Sequence, residues 1–173
     1  VLINPQLFLD LSVKAIKRDL YELMINGICY DKIGGSEYEM RLFEESEMEI
    51  YFDTIFHEVQ DRNKTIYDNY IPLDSGVESQ FAKDCETSEQ VEFYFKLPTW
   101  FKIPTPIGNY NPDWALIFKG EKKIYFVAET KDTKDLSKLR PEERLKIKCG
   151  EKHFAVIDEV EYRHVTKLGE LVE

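Results

Sequence analysis

The sequence predicts an α/β fold, a sandwich of helices about a central mixed sheet. Three observations carry that expectation. Apolar residues recur at helical spacing near the start of the chain and again at 75–87. Between 91 and 130, short runs of continuous apolar residues read as strands buried on both faces. A proline-led helix and further strand-like residues close the series.

Taken in order, PQLFLDLSVKAIKRDLYELMI (5–25) sets Leu9, Val13, Ile16, Leu20 and Leu23 on one helical face, and Asn26-Gly27 ends the helix. GICYDKIGG and EYEMRLF alternate about Gly34-Gly35 and predict a hairpin. EESEME (44–49) reads as a solvated acidic edge. Residues 61–70 form a turn leading into a strand, TIYDNYI. SGVESQFAKDCET (75–87) is a helix with Val77, Phe81 and Cys85 inward, and VEFYFKL (91–97) is a strand. WFKIPTPIGNYN (100–111) is a Pro/Gly-punctuated connection that includes a short strand. DWALIF (113–118) and KIYFVAET (123–130) are strands. Pro141 opens a helix over 141–150, HFAVID (153–158) is a further strand, and EYRHV is a candidate for another.

With 173 residues, 43% hydrophobic and 13% aromatic, the chain can bury one good core. No apolar run is long enough to span a bilayer, and no secretory leader is visible. Cys29, Cys85 and Cys149 are odd in number and scattered, which excludes a complete disulfide framework or a CxxC zinc pattern and fits a reducing, cytoplasmic setting. The chain starts Val-Leu-Ile, which fits a piece of a longer protein. The net charge of −10 argues against a protein that wraps nucleic acid by itself. Residues 1–118 carry 21 acids and 10 bases, whereas 119–152 carry 11 bases and 7 acids. That local +4 is either a solvated Lys/Glu face, the commoner use of such a run, or a phosphate-facing rim.

The candidate chemistry lies in NPDWALIFKGEKKIYFVAETKD (111–132). Folding this hairpin about Glu121 sets Asp113 opposite Glu129, and Lys131 shares the face of Glu129. Two carboxylates about 4 Å apart repel by roughly 4 kcal/mol at an effective dielectric near 20. Lys131 offsets part of that repulsion, and Mg²⁺, a hard oxygen-seeking cation, would offset more. A turn acid behind a proline with a surface Glu/Lys pair is the other reading. Spacing alone leaves both open.

Pro112-Asp113, fifteen intervening residues and Glu129-Thr130-Lys131 resemble the PD-(D/E)xK nuclease motif. FKIPTPIGNYNPDWAL, VAETK and KIKCGEKHFAV are together similar to the C-terminal endonuclease domain of the restriction (Res) subunit of type III restriction enzymes. SVKAIKRDLYELMINGICYDKIGGSEYEM resembles the part of that subunit preceding the nuclease. The resemblance implies a three-layer α/β/α sandwich, with residues 61–173 as the nuclease domain. Residues 1–60 would be a helix-and-hairpin extension joining to a helicase-like ATPase part that the chain lacks. No GxxxxGK[ST] loop occurs. It further implies a Mg²⁺-dependent endonuclease acting on double-stranded DNA in the bacterial cytoplasm, with a methyltransferase/specificity subunit as partner and no membrane. Asp113 and Glu129 would be metal ligands and Lys131 the catalytic lysine.

Glu78 has two competing roles. Ser75-Gly76-Val77-Glu78 is a capping-box sequence, in which Glu78 would bond the Ser75 N–H. In nucleases of the resembled fold, a glutamate on an early helix completes the metal environment. Lys146 and Lys148 are either solvated helix lysines or phosphate contacts. His57, His153 and His164 lack metal-ligand spacing, Ser36 and Ser75 lack a nucleophile-elbow context, and Trp100 and Trp114 read as core. A non-catalytic docking or DNA-binding module does not require the Asp/Glu/Lys set, and a paired-carboxylate glycosidase does not explain Lys131.

Overall fold

The computed structural model describes residues 4–31, 55–129 and 135–172, with the side chains of Ala128, Glu129 and Leu136 outside that set. The expected hairpin about Gly34-Gly35 and the acidic run 44–49 lie outside the described residues. Helix α1 (Pro5–Gly27) starts behind Asn4, whose side chain accepts the Leu7 N–H. Strands β1 (Ile55–Glu58) and β2 (Tyr70–Leu73) pair antiparallel. There follow α2 (Gly76–Thr87), β3 (Val91–Lys96), β4 (Trp114–Phe118), β5 (Ile124–Glu129), α3 (Pro141–Phe154) and β6 (Val160–Val165).

The last four strands form one sheet in the order β3-β4-β5-β6. The β3–β4 and β4–β5 pairs are antiparallel, and β6 is parallel to β5, with α3 as the crossover. Helix α2 covers one face, where Phe81, Ala82 and Cys85 pack with Tyr94, Trp114, Leu116 and Val127. Helix α3 covers the other, where Ile147 and Phe154 pack with Phe95, Ala115 and Phe126. The result is the expected helix–sheet–helix sandwich on a mixed sheet. On the α2 side the Trp114 ring lies 5.4 Å from Phe81. On the α3 side Phe101, Phe126, Phe154 and Tyr162 stack in succession, at 5.6, 4.4 and 5.5 Å.

Several elements differ from the sequence expectation. HFAVID is not a strand: α3 continues through Phe154, and the strand is Val160–Val165, which takes in EYRHV. A short apolar run suits a helix end as well as a strand, and the stack of Phe154 between Phe126 and Tyr162 decides it. β1 lies in a stretch with no strand signal of its own, and β2 starts only at Tyr70. Trp100 is 39% exposed rather than core. The apolar stripe of α1 (Leu9, Val13, Ile16, Leu20 and Leu23) is 47–71% exposed. Only the C-terminal end of α1 meets α3, through Ile25 packed with Leu145 and Cys149, the Glu22–Arg144 ion pair, and Lys152 donating to the Asn26 carbonyl at 2.8 Å. Among the described residues, no helix is long and apolar enough to cross a membrane.

The β4–β5 register is one residue from the expected fold-over. Trp114 pairs with Val127 and Ile117 with Ile124, and the Asp113 N–H bonds the Val127 carbonyl, so Asp113 does not pair with Glu129. The connection centres between Gly120 and Glu121. Glu121 N–H closes a turn on the Phe118 carbonyl at 3.1 Å, and Gly120 takes φ 78°, a conformation that favours glycine.

Gly150, on α3, is where the helix comes closest to the Tyr110–Tyr162 pair. A Cβ there would sit 2.8 Å from Tyr110 Cε1 and 2.9 Å from Tyr162 Cζ. Both rings are packed into the core and cannot swing aside. Gly150→Ala is therefore expected to destabilise the protein by about 1–3 kcal/mol, against a gain of up to about 1 kcal/mol for the same change in an open helix. Urea unfolding of the variant measures the sign directly.

Candidate active site

One end of the main sheet holds Asp113 and the backbone of Glu129. β3 runs into that end at Lys96, β4 starts there behind Asp113, and the parallel strands β5 and β6 both finish there, at Glu129 and Val165. The carboxyl ends of parallel strands are where open α/β sheets place their ligands. Asp113 is half-buried behind the buried Pro112. Its N–H donates to the Val127 carbonyl at 2.9 Å, and its own carbonyl accepts the Leu97 N–H at 2.9 Å. The main chain at this acid is thus tied to both neighbouring strands.

Tyr110 and Tyr162, whose hydroxyls lie 2.5 Å apart, feel the Asp113 carboxylate. Burial raises the pKa of both phenols well above the ordinary tyrosine value, and the negative fields of Asp113 and Glu151 add to it. They stay neutral hydroxyls at any physiological pH.

Glu78 is 7% exposed and sits on the buried stripe of α2, with Phe81, Ala82, Cys85 and Glu86. Val77, expected inward, is only partly buried. Ser75 caps the helix as expected, its Oγ accepting the Glu78 N–H at 3.3 Å. The reciprocal bond goes one residue further back: Glu78 Oε2 accepts the Asp74 N–H at 2.6 Å, not the Ser75 N–H. The same oxygen accepts from Lys96 Nζ at 2.8 Å, and Lys96 also reaches Asp74 Oδ2 at 2.8 Å. Burial works against the Lys96 charge, but its bonds to Asp74 and Glu78 outweigh this and raise its pKa above the ordinary value. Lys96 pairs with Trp114, next to the Leu97–Asp113 bond, so this ion pair stands at the same sheet end as Asp113. Lys96 was not legible as a site residue. The available signal was its parity with buried Tyr94, which points a charged side chain inward.

A second buried carboxylate, Glu86, closes the far end of α2. Its Oε1 accepts the N–H groups of Gln60 and Asp61 at 2.7 and 2.9 Å, and His57 Nε2 meets its Oε2 at 2.8 Å. Burial would raise its pKa, but the hydrogen bonds from Asp61, Gln60 and His57 prevail and lower it. His57 therefore fastens β1 to α2 and lies apart from the candidate acids. His153 and His164 are partly buried, and burial lowers both pKa values.

Glu129 is placed by its backbone at the end of β5, opposite Val165 of β6; its side chain and the whole of Lys131 lie outside the described residues. Among the described residues, no group of three or more His, Cys, Asp or Glu side chains is arranged to hold a metal. Lys146 and Lys148 are half-buried on α3. A cleft of about 660 Å³ lies at the opposite end of the sheet, lined in part by Phe118, Lys119, Glu121 and Tyr125, and contains none of the candidate residues.

A mixed sheet between two helical layers, with Asp113 at the start of β4 and Glu129 at the end of β5 on the same sheet end, is an α/β domain of the restriction-endonuclease-like kind. A family model described as an endonuclease domain matches residues 63–168, and the chain belongs to that family. It is a nuclease domain, hence a hydrolase. No curated protein matches the chain, and no solved structure does.

The Glu78–Lys96 pair makes a specific stability prediction. Glu78→Gln retains an oxygen for the Asp74 N–H but loses the charge facing Lys96, and is expected to cost about 1 kcal/mol. Glu78→Ala leaves the ammonium with only the exposed Asp74 carboxylate and is expected to cost about 3 kcal/mol. Chemical denaturation of the two variants gives the order.

Proposed function

We propose that this chain is the Mg²⁺-dependent nuclease part of a type III restriction enzyme Res subunit, hydrolysing phosphodiester bonds in double-stranded DNA. The supporting observation is the position of Asp113, tied to both neighbouring strands at the sheet end where β5 finishes at Glu129. The donor set there suits a hard cation: the Asp113 carboxylate, and Glu78 with both of its hydrogen bonds on Oε2. Asp113, Glu129 and Glu78 would hold Mg²⁺. When bound, the ion polarises the scissile phosphate and lowers the pKa of a bound water.

The protein's own contribution is positional. The two backbone bonds of Asp113 keep its carboxylate at one height along β4, so little reorganisation accompanies the reaction. Lys131 orients the attacking water or steadies the negative charge developing on the phosphate, a role suited to a compact ammonium. The products are a 5′-phosphate and a 3′-hydroxyl. Lys146 and Lys148 are candidate phosphate contacts. A helicase-like ATPase part of the same subunit and a methyltransferase/specificity subunit would supply DNA grip and sequence choice, in the bacterial cytoplasm.

Plasmid DNA incubated with the assembled subunit, with and without Mg²⁺, tests this reading. Asp113→Ala, Glu129→Ala and Lys131→Ala should each lower Mg²⁺-dependent nicking by about 10²–10³-fold or more. Near wild-type cleavage by either carboxylate variant would sink the assignment. The chain alone, at net charge −10, should bind duplex DNA weakly, its affinity falling steeply with salt because few phosphates are neutralised. Salt-dependent fluorescence anisotropy measures this, and tight, salt-insensitive binding would place the DNA grip within the chain.

A further inference from the structure

We infer that Lys96 is a positioning residue for the cation site, holding the Glu78 carboxylate in a single orientation. The inference rests on the proposed nuclease reading and adds a residue to it. The side chains of Lys96 and Glu78 are only 14% and 10% exposed, so water does little of the work of holding them. Both hydrogen bonds to the carboxylate converge on Oε2, from Lys96 Nζ at 2.8 Å and the Asp74 N–H at 2.6 Å. Among the described residues Oε1 accepts no hydrogen bond, so one oxygen is anchored and the other is available to a cation. The anchor comes from β3, the strand whose next residue, Leu97, bonds the Asp113 carbonyl at 2.9 Å. Glu78 on α2 is thereby referenced to the strand pair that carries Asp113, rather than to its own helix alone. The Lys96 ammonium, 2.8 Å from Glu78 Oε2, also sets an opposite charge against this buried acid. Groups that orient a ligating carboxylate in this way typically change metal affinity by about 10–100-fold when removed.

The test is calorimetric titration of Mg²⁺ into the full chain, with thermal unfolding followed in parallel. Lys96→Met removes the ammonium and keeps the stem, and is expected to weaken Mg²⁺ binding by about 10-fold or more. Lys96→Arg retains the charge but seats a planar fork where a point donor stood. It should keep the unfolding midpoint near wild type while weakening Mg²⁺ binding several-fold, an effect that mere charge compensation does not produce. Because the Arg variant keeps a cation in place, it decides the matter even if the Met variant does not fold. Wild-type Mg²⁺ affinity in Lys96→Arg would overturn the positioning role while leaving the nuclease reading intact. Absence of Mg²⁺ binding by the unaltered chain would overturn both.

Discussion

Strand β4 has almost no solvent-facing side, and the rest of the fold follows from covering it. Trp114, Ala115, Leu116 and Phe118 are each 5% exposed or less, although successive side chains point to opposite faces. A strand buried on both faces needs a strand on each edge and a layer on each side. β3 and β5 supply the edges, α2 supplies the layer over Trp114 and Leu116, and α3 supplies the layer over Ala115. A polar residue in the middle of β4 would have no water to reach. Its charged neighbour Asp113 is therefore confined to the strand's end, where the sheet opens.

Helix α2 carries a related constraint. Its buried stripe includes two carboxylates, Glu78 near the start and Glu86 near the end. An ionised carboxylate is costly to bury unless hydrogen bonds and opposite charge replace the lost water. Each acid has its own solution. Glu86 takes two backbone N–H groups and His57, and Lys64 donates to the carbonyls of Glu86 and Ser88, which finish the helix. Glu78 takes one N–H group and Lys96. The difference is chemical: the Glu86 bonds occupy both of its oxygens and close a structural clasp, whereas those of Glu78 fall on one oxygen at the sheet end that carries Asp113. One helix thus joins the β1–β2 pair to the main sheet at one end and brings an acid to the candidate site at the other.

Much of the candidate site was legible because its residues break local rules. Asp113 behind a proline and Glu129 at the end of an apolar run stand out against the buried strands they bound. Glu78 announced itself through Ser75, and the capping bond exists, though its reciprocal bond lands on Asp74. Lys96 was opaque because a lone lysine at a strand end usually lies in solvent. What makes it otherwise is Glu78, eighteen residues away and on a different element. The β4–β5 register was also out of reach. Fold-over about Glu121 or about the Gly120–Glu121 bond differs by one residue, and only the turn at Gly120 separates them.

By itself the sequence determined the layers: helical spacing in 75–87 and doubly apolar runs in 114–118 and 124–128 permit little other than a covered sheet. It also determined which acids stand at strand ends, since periodicity and proline position are local properties. Tertiary structure decided whether His153-Phe154 ended a helix or began a strand, because the ring of Phe154 had to find Phe126 and Tyr162. It decided that the apolar stripe of α1 covers no other described element, because α3 meets only the last turns of that helix. It decided, finally, which cation faces Glu78. Pairing across space depends on where two elements come to rest, and no local pattern of residues encodes that distance.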